Sequence, residues 1–162
     1  MATRHIRTNL PGLLLVALVV SACSTQERPG VQEPPRLEQA AAASGSLVAW
    51  GDDGLGQVSG TPSGDDFIAV AAGGYHNVAL RSDGSLVAWG YDGLGQVNDT
   101  PSGDDFVAVA GGLYHSLALR SDGSLVAWGY DGLGQVSDTP SGDDFIAVAA
   151  GGYHSVAIQS AP

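Results

Sequence analysis

"SLVAWGYDGLGQV" runs from Ser85 to Val97 and recurs letter for letter from Ser124 to Val136. A third copy, Ser46–Val58, differs only in carrying Asp52 where the others carry Tyr91 and Tyr130. Extended in both directions, the match gives a period of 39 residues, with repeats at 45–83, 84–122 and 123–162. A repeat of this length means stacked units with a shared core, because one such unit cannot bury its own apolar face.

Each repeat holds three short apolar stretches. In copy one they are Ser46–Gly51, Phe67–Gly73 and His76–Arg81. They are rich in Val, Ile, Leu and aromatic residues, end on Gly or Asp, and lack a 3.6-residue stripe, so they predict strands. The first two stretches are apolar on both faces, as in sheets covered on both sides. Asp83-Gly84 and Asp122-Gly123 each stand between two strand patterns, a hairpin signal. "DGLGQV" places glycines where a left-handed backbone is needed, and "TPSGDD" is a loop. The expected fold is all-β, with three tandem repeats forming blades of a partial β-propeller.

Val70–Gln96 resembles the repeat of the regulator of chromosome condensation family. The marks are Gly73 to His76 (Gly-x-x-His), Ala79-Leu80, Asp83-Gly84, Trp89-Gly90 and Gly95-Gln96, and Val109–Gln135 carries the same set. The resemblance extends over 45–159 and implies a β-propeller with loops on two faces. The repeat is short, like that of a secreted bacterial β-lactamase-inhibitory propeller, and there are fewer copies than a full ring of the family. No insertion matches the wedge with which the namesake ejects nucleotide from its GTPase, so exchange activity is not carried over.

The beginning of the chain is of another kind. Arg4 and Arg7 precede the apolar run Leu13–Val20, which is too short for a permanent membrane span. Small residues follow it, as in an export signal. Val20-Ser21-Ala22-Cys23 resembles the lipobox of bacterial lipoproteins, which implies cleavage after residue 22 and lipidation of Cys23, the chain's one cysteine. A plain signal cut after Ala22 with a free Cys23 is the alternative. Ser24 after the cysteine points, by resemblance to enterobacterial sorting, to an outer membrane if the host has one. The remainder of 23–44 is rich in proline and charge, with no alternating apolar pattern, and reads as a disordered tether.

Enzymatic chemistry is not evident. His76, His115 and His154 recur at one repeat position, but a repeat makes every residue recur. The expectation is that each bonds backbone between strands rather than holding a metal. Asp65-Asp66, Asp104-Asp105 and Asp143-Asp144 suit turns better than calcium, since the order of an EF-hand loop is absent. There is no Gly-x-Ser-x-Gly elbow and no P-loop lysine. No catalytic residue, metal or cofactor is expected.

From Gly45 onward fourteen aspartates face two arginines, Arg81 and Arg120. Such a surface repels phosphate backbones, so nucleic acid is not an expected partner. The expected function is a lipid-anchored, non-catalytic binding module of the bacterial envelope, touching the membrane only through its anchor and recognising a protein or another envelope component. A glycan or small-ligand site and a truncated relic of a longer repeat protein stay open as alternatives. The candidate contact residues are Asp52, Tyr91 and Tyr130 with the adjoining Asp53, Asp92 and Asp131, because tyrosine anchors interfaces at low entropy cost. Trp50, Trp89 and Trp128 are expected in the core between blades. The first stretch of copy one and the last of copy three each hold half of a hairpin. The expectation is that these halves pair between chains, giving a head-to-tail homo-oligomer.

Overall fold

The computed structural model describes residues 43–161. Cys23, the leader and most of the tether lie outside them. Eight strands make three antiparallel sheets. The first contains β1 (Phe67–Ala72), β2 (His76–Arg81) and β3 (Leu86–Gly90) in that order. The second repeats it with β4 (Phe106–Gly111), β5 (His115–Arg120) and β6 (Leu125–Gly129). The third has two strands, β7 (Phe145–Ala150) and β8 (Ser155–Gln159). The sheets stand side by side as blades in an open arc, the all-β propeller architecture that the repeat predicts.

Sheet and sequence repeat are staggered. The Asp83-Gly84 turn joins β2 to β3, so the first stretch of each sequence repeat completes the sheet of the repeat before it. The turn closes through Gly84 N–H to the Arg81 carbonyl at 3.0 Å and is fixed by Asp83, whose Oδ1 accepts from Ser85 N at 2.9 Å. Gly84 takes φ +85°, a left-handed value that glycine adopts without steric cost. Ser46–Gly51 departs from its predicted strand. Gly45 bridges to Phe67, but the residues after it have no ladder partner among the described residues. A strand needs a neighbour to bond, and a sheet preceding β1 is not among them.

The middle strand of each complete sheet is buried most deeply, because it is paired on both edges and covered on both faces. Val78, Leu80, Phe106, Ala118 and Trp128 form the core between the first two sheets. A second cluster, Phe67, Ala79 and Trp89, receives Leu47. Trp89 and Trp128 are 7 % and 4 % exposed, and each Nε1 donates to the loop that leads into its own sheet, at the carbonyls of Gln57 and Gln96. Trp50 departs from the same expectation at 83 % exposed, since no sheet among the described residues packs over it.

Candidate functional site

The hairpin register places the tyrosines. β2 and β3 pair His76 with Gly90, so Tyr75 and Tyr91 emerge together from one end of the first sheet, and Tyr91 N–H donates to the Tyr75 carbonyl at 2.8 Å. Tyr114 and Tyr130 repeat this in the second sheet. Gly90 and Gly129 make the junction possible. Both have positive φ, and a Cβ on either would press on the carbonyl of the tyrosine opposite, Tyr75 or Tyr114.

All five tyrosines of the chain then meet. Tyr75 and Tyr114 stack across the sheet boundary, with centroids 5.4 Å apart and planes at 18°. Tyr91 meets both edge-on, at 6.5 and 6.3 Å. Tyr114 also contacts Tyr130 at 6.4 Å and Tyr153 of the third sheet at 6.5 Å. Such offset and edge-on pairs each contribute about 0.5–1.5 kcal/mol beyond area burial. Partial loss of solvent, then the neighbouring Tyr75 phenol, push the Tyr114 hydroxyl above its usual pKa. The row presents aromatic edges and hydroxyls on a rigid support.

Of the residues predicted for the site, Tyr91 and Tyr130 lie in this row. Tyr75, Tyr114 and Tyr153 were not among them. For Tyr75 and Tyr114 the signal was present in the sequence: Tyr75 and Tyr91 are equidistant from the Asp83 turn, as are Tyr114 and Tyr130 from Asp122, so closing either hairpin brings its pair together.

The candidate aspartates have a different setting. Asp92 Oδ1 accepts from Val97 N at 2.8 Å and Asn98 N at 2.9 Å, and Asp53 and Asp131 staple their loops in the same way. These backbone donors hold the three carboxyls below their ordinary pKa, Ser59, Asn98 and Ser137 contributing most. Their geometry fixes the loop that follows each first-stretch tryptophan. Asp52, at the tyrosine position of copy one, accepts from Gln57 Nε2 at 3.4 Å.

His76 and His115 depart from the expected backbone bonds. His76 Nε2 bonds Ser116 Oγ of the next sheet at 2.7 Å, and His115 Nε2 bonds Ser155 Oγ at 3.2 Å. Backbone groups on each side are already taken by the ladders, which leaves the serine hydroxyl as partner. Burial, then the His115 charge, lower the His76 pKa to about 4. Burial lowers that of His115 as well. Among the described residues no three His, Cys, Asp or Glu side chains gather as metal ligands. Asp66 and Asp105 pair with Arg81 and Arg120 at 2.7 Å.

Residues 67–96 and 106–135 match the family model "Regulator of chromosome condensation (RCC1) repeat". Each matched segment covers one complete three-stranded sheet and so runs from one sequence repeat into the next. No curated protein matches the chain. Among solved structures it is similar to the Crinkly WD40 ectodomain of the Arabidopsis thaliana receptor kinase ACR4, at 26 % identity and TM-score 0.56 over 73 % of this chain and 40 % of that one. It is also similar to the ectodomain of the Physcomitrella patens receptor kinase CR4, at 29 % identity and TM-score 0.53 over 68 % and 32 %. The fold is shared with yeast RCC1 (Prp20), solved bound to Kap60, at 23 % identity and TM-score 0.56 over 71 % and 38 %. The chain spans two fifths or less of the length of each of these proteins.

Proposed function

We propose that the chain is a non-catalytic recognition module that binds another protein of the bacterial envelope through its tyrosine row, and that it is held at the membrane by lipid on Cys23. The observation that carries the binding reading is the convergence of five tyrosines from three sheets into one contiguous surface. Amphipathic rings on a rigid sheet lose little entropy on binding and offer both apolar area and hydroxyl donors. The acidic surface around them favours a partner with basic groups and disfavours nucleic acid. The yeast protein of this fold, solved with Kap60, is a precedent for a propeller engaging a protein.

The anchor reading rests on "LVVSAC" at Leu18–Cys23 and on the position of this cysteine behind an export-type apolar run. Two or more acyl chains hold a protein stably at a bilayer where one does not. Ser24 after the lipidated residue favours the outer membrane in a host that has one.

The experiment for the binding reading is capture from envelope extract by the chain and by its Tyr91→Ser/Tyr130→Ser variant. A protein retained by the first and lost with the second supports the reading. Retention by both removes it, and binding to a glycan array with no protein retained replaces it by the glycan alternative. For the anchor, the chain expressed in a bacterium takes up labelled palmitate and the Cys23→Ala variant does not; equal labelling of the two removes the lipid.

A further inference from the structure

We propose that Leu47–Gly51 of one copy adds as the missing third strand to the third sheet of a second copy, so that two chains close head to tail into one ring.

The third sheet is incomplete. β2 and β5 each pair on their outer edge with β3 and β6, whereas the matching edge of β8 has no partner among the described residues. The strand that belongs there is present in the chain. Ser46–Gly51 is identical, residue for residue, to Ser85–Gly90 and Ser124–Gly129, which fill that place in the two complete sheets. It is the only such segment without a ladder among the described residues, and β8 is the only such edge. One copy therefore offers one strand and one vacancy.

The segment is held ready for this role. Gly45 N–H donates to the Phe67 carbonyl at 2.9 Å and Phe67 N–H to the Gly45 carbonyl at 3.2 Å. Gly84 with Phe106 and Gly123 with Phe145 keep the second of these bonds, at 3.1 Å each. Leu47 packs on the Phe67–Ala79–Trp89 cluster. The segment thus stands against β1 as β3 stands against β4, the position of a third strand in a sheet before the first. Gly51 has φ +110°, close to the +103° and +97° of Gly90 and Gly129. At those two a Cβ would press on the facing strand, and at Gly51 it meets nothing. The backbone has the paired shape without the pair. Val48 and Trp50 are 79 % and 83 % exposed, and Val156 and Ile158 of β8 are also exposed, so both halves of the junction are apolar.

The register follows from the two complete sheets. Val78 faces Ala88, Ala79 faces Val87 and Leu80 faces Leu86. At the junction Val156 faces the second copy's Ala49, Ala157 its Val48, and Ile158 its Leu47. The second copy's Trp50 donates to the Gln135 carbonyl, as Trp89 and Trp128 do to Gln57 and Gln96. Its Asp52 N–H meets the Tyr153 carbonyl, which continues the tyrosine face across the junction. The three sheets of the described residues are too few to curve back on themselves, since propeller rings take roughly four to eight blades. The described residues of two copies supply six sheets. This makes a second copy, rather than the same one, the occupant.

Cysteines at directly opposed strand positions lie within disulfide reach. The full chain carrying Cys23→Ala, Val48→Cys and Ala157→Cys is oxidised and run without reductant. The expected product is a covalent species of two chains. The pair shifted by one residue, Val48→Cys with Ile158→Cys, points to opposite faces and stays uncoupled. Coupling of both pairs alike, a ladder of higher species, or no coupling overturns the proposal. As a check without new cysteines, light scattering on the Cys23→Ala chain at micromolar concentration gives twice the chain mass, and a single-chain mass overturns the proposal equally.

Discussion

His76 Nε2 and Ser116 Oγ, 40 positions apart, are hydrogen-bonded at 2.7 Å inside the boundary between the first two sheets, and both residues are fully buried. This bond ties one blade to the next beside the apolar cluster of the boundary, together with the backbone bonds from Gly74 N to the Gly112 carbonyl and from Phe106 N to the Gly84 carbonyl. Ser116→Ala leaves the imidazole buried without that partner, which costs about 1–3 kcal/mol. Ser121→Ala, on the exposed turn, changes stability by less than about 0.5 kcal/mol. Urea denaturation of the two variants checks this, and equal midpoints would contradict a structural role for the bond.

The same histidine makes stability depend on pH. His76 Nδ1 is buried and has no partner among the described residues, so a second proton on the ring finds no acceptor. Its pKa is about 4 when folded against 6.5 for an unperturbed imidazole. The unfolded chain therefore binds the proton first, and stability is lost as pH falls from 6.5 to about 4, then stops changing on this account. The loss from His76 is on the order of 3 kcal/mol, and His115 moves in the same direction. Denaturation midpoints at pH 7.5, 5.5 and 4.5 should descend in the chain and descend less in His76→Asn.

Strands and turns were legible in the sequence because their causes are local. Val78, Ala79 and Leu80 declare a strand by composition, and Asp83-Gly84 declares the turn after it. What joins one sheet to another was not legible. The bond from His76 goes to Ser116 because the propeller packs the sheets side by side, and nothing in the string "GGYH" marks a partner 40 residues away. Trp50 shows the same limit from the other side. It has the sequence neighbours of Trp89 and Trp128, yet it is exposed because burial is set by the adjacent sheet. The tyrosine row lies between these cases, half contained in hairpin register and half in sheet packing.

Glycine identity is testable at the turn. Gly84 has φ +85°, and a Cβ there would collide with the carbonyl of Asp104 in the following loop. Backbone strain and the collision add, so Gly84→Ala should cost at least about 2 kcal/mol. The thermal midpoint reports this directly; an unchanged one would mean that the Asp104 loop moves aside freely.

The tyrosine row is stabilising as well as partly exposed. Tyr91 and Tyr130 each make edge-on contacts worth about 0.5–1.5 kcal/mol. The Tyr91→Ser/Tyr130→Ser variant loses three such pairs and should therefore lose about 1.5–4.5 kcal/mol, whereas Tyr91→Phe/Tyr130→Phe keeps the rings and loses little. Comparing capture by these two folded variants separates the rings from the hydroxyls. Loss in the Ser variant alone assigns recognition to the aromatic surface, and loss in both assigns it to the phenol groups.

Repeat position 81 is the clearest place to strengthen the third sheet. Arg81 and Arg120 each pair with an aspartate, Asp66 or Asp105, at 2.7 Å and lie over a phenylalanine ring, Phe67 or Phe106, at 4.7 and 4.6 Å. The third repeat keeps Asp144 and Phe145 but has Gln159 at the arginine position, where Nε2 donates to Asp144 Oδ2 at 2.8 Å. Gln159→Arg would replace a neutral bond by an ion pair and add a cation–π contact. Both are partly exposed, so the gain is modest, about 0.5–1 kcal/mol. Added salt screens the ion pair but leaves the packing on Phe145, so the gain should shrink without vanishing between low and 0.5 M salt. The measurement is the difference in urea midpoint between variant and parent at the two ionic strengths. A destabilised variant would mean that the third sheet does not reproduce the side-chain geometry of the first two.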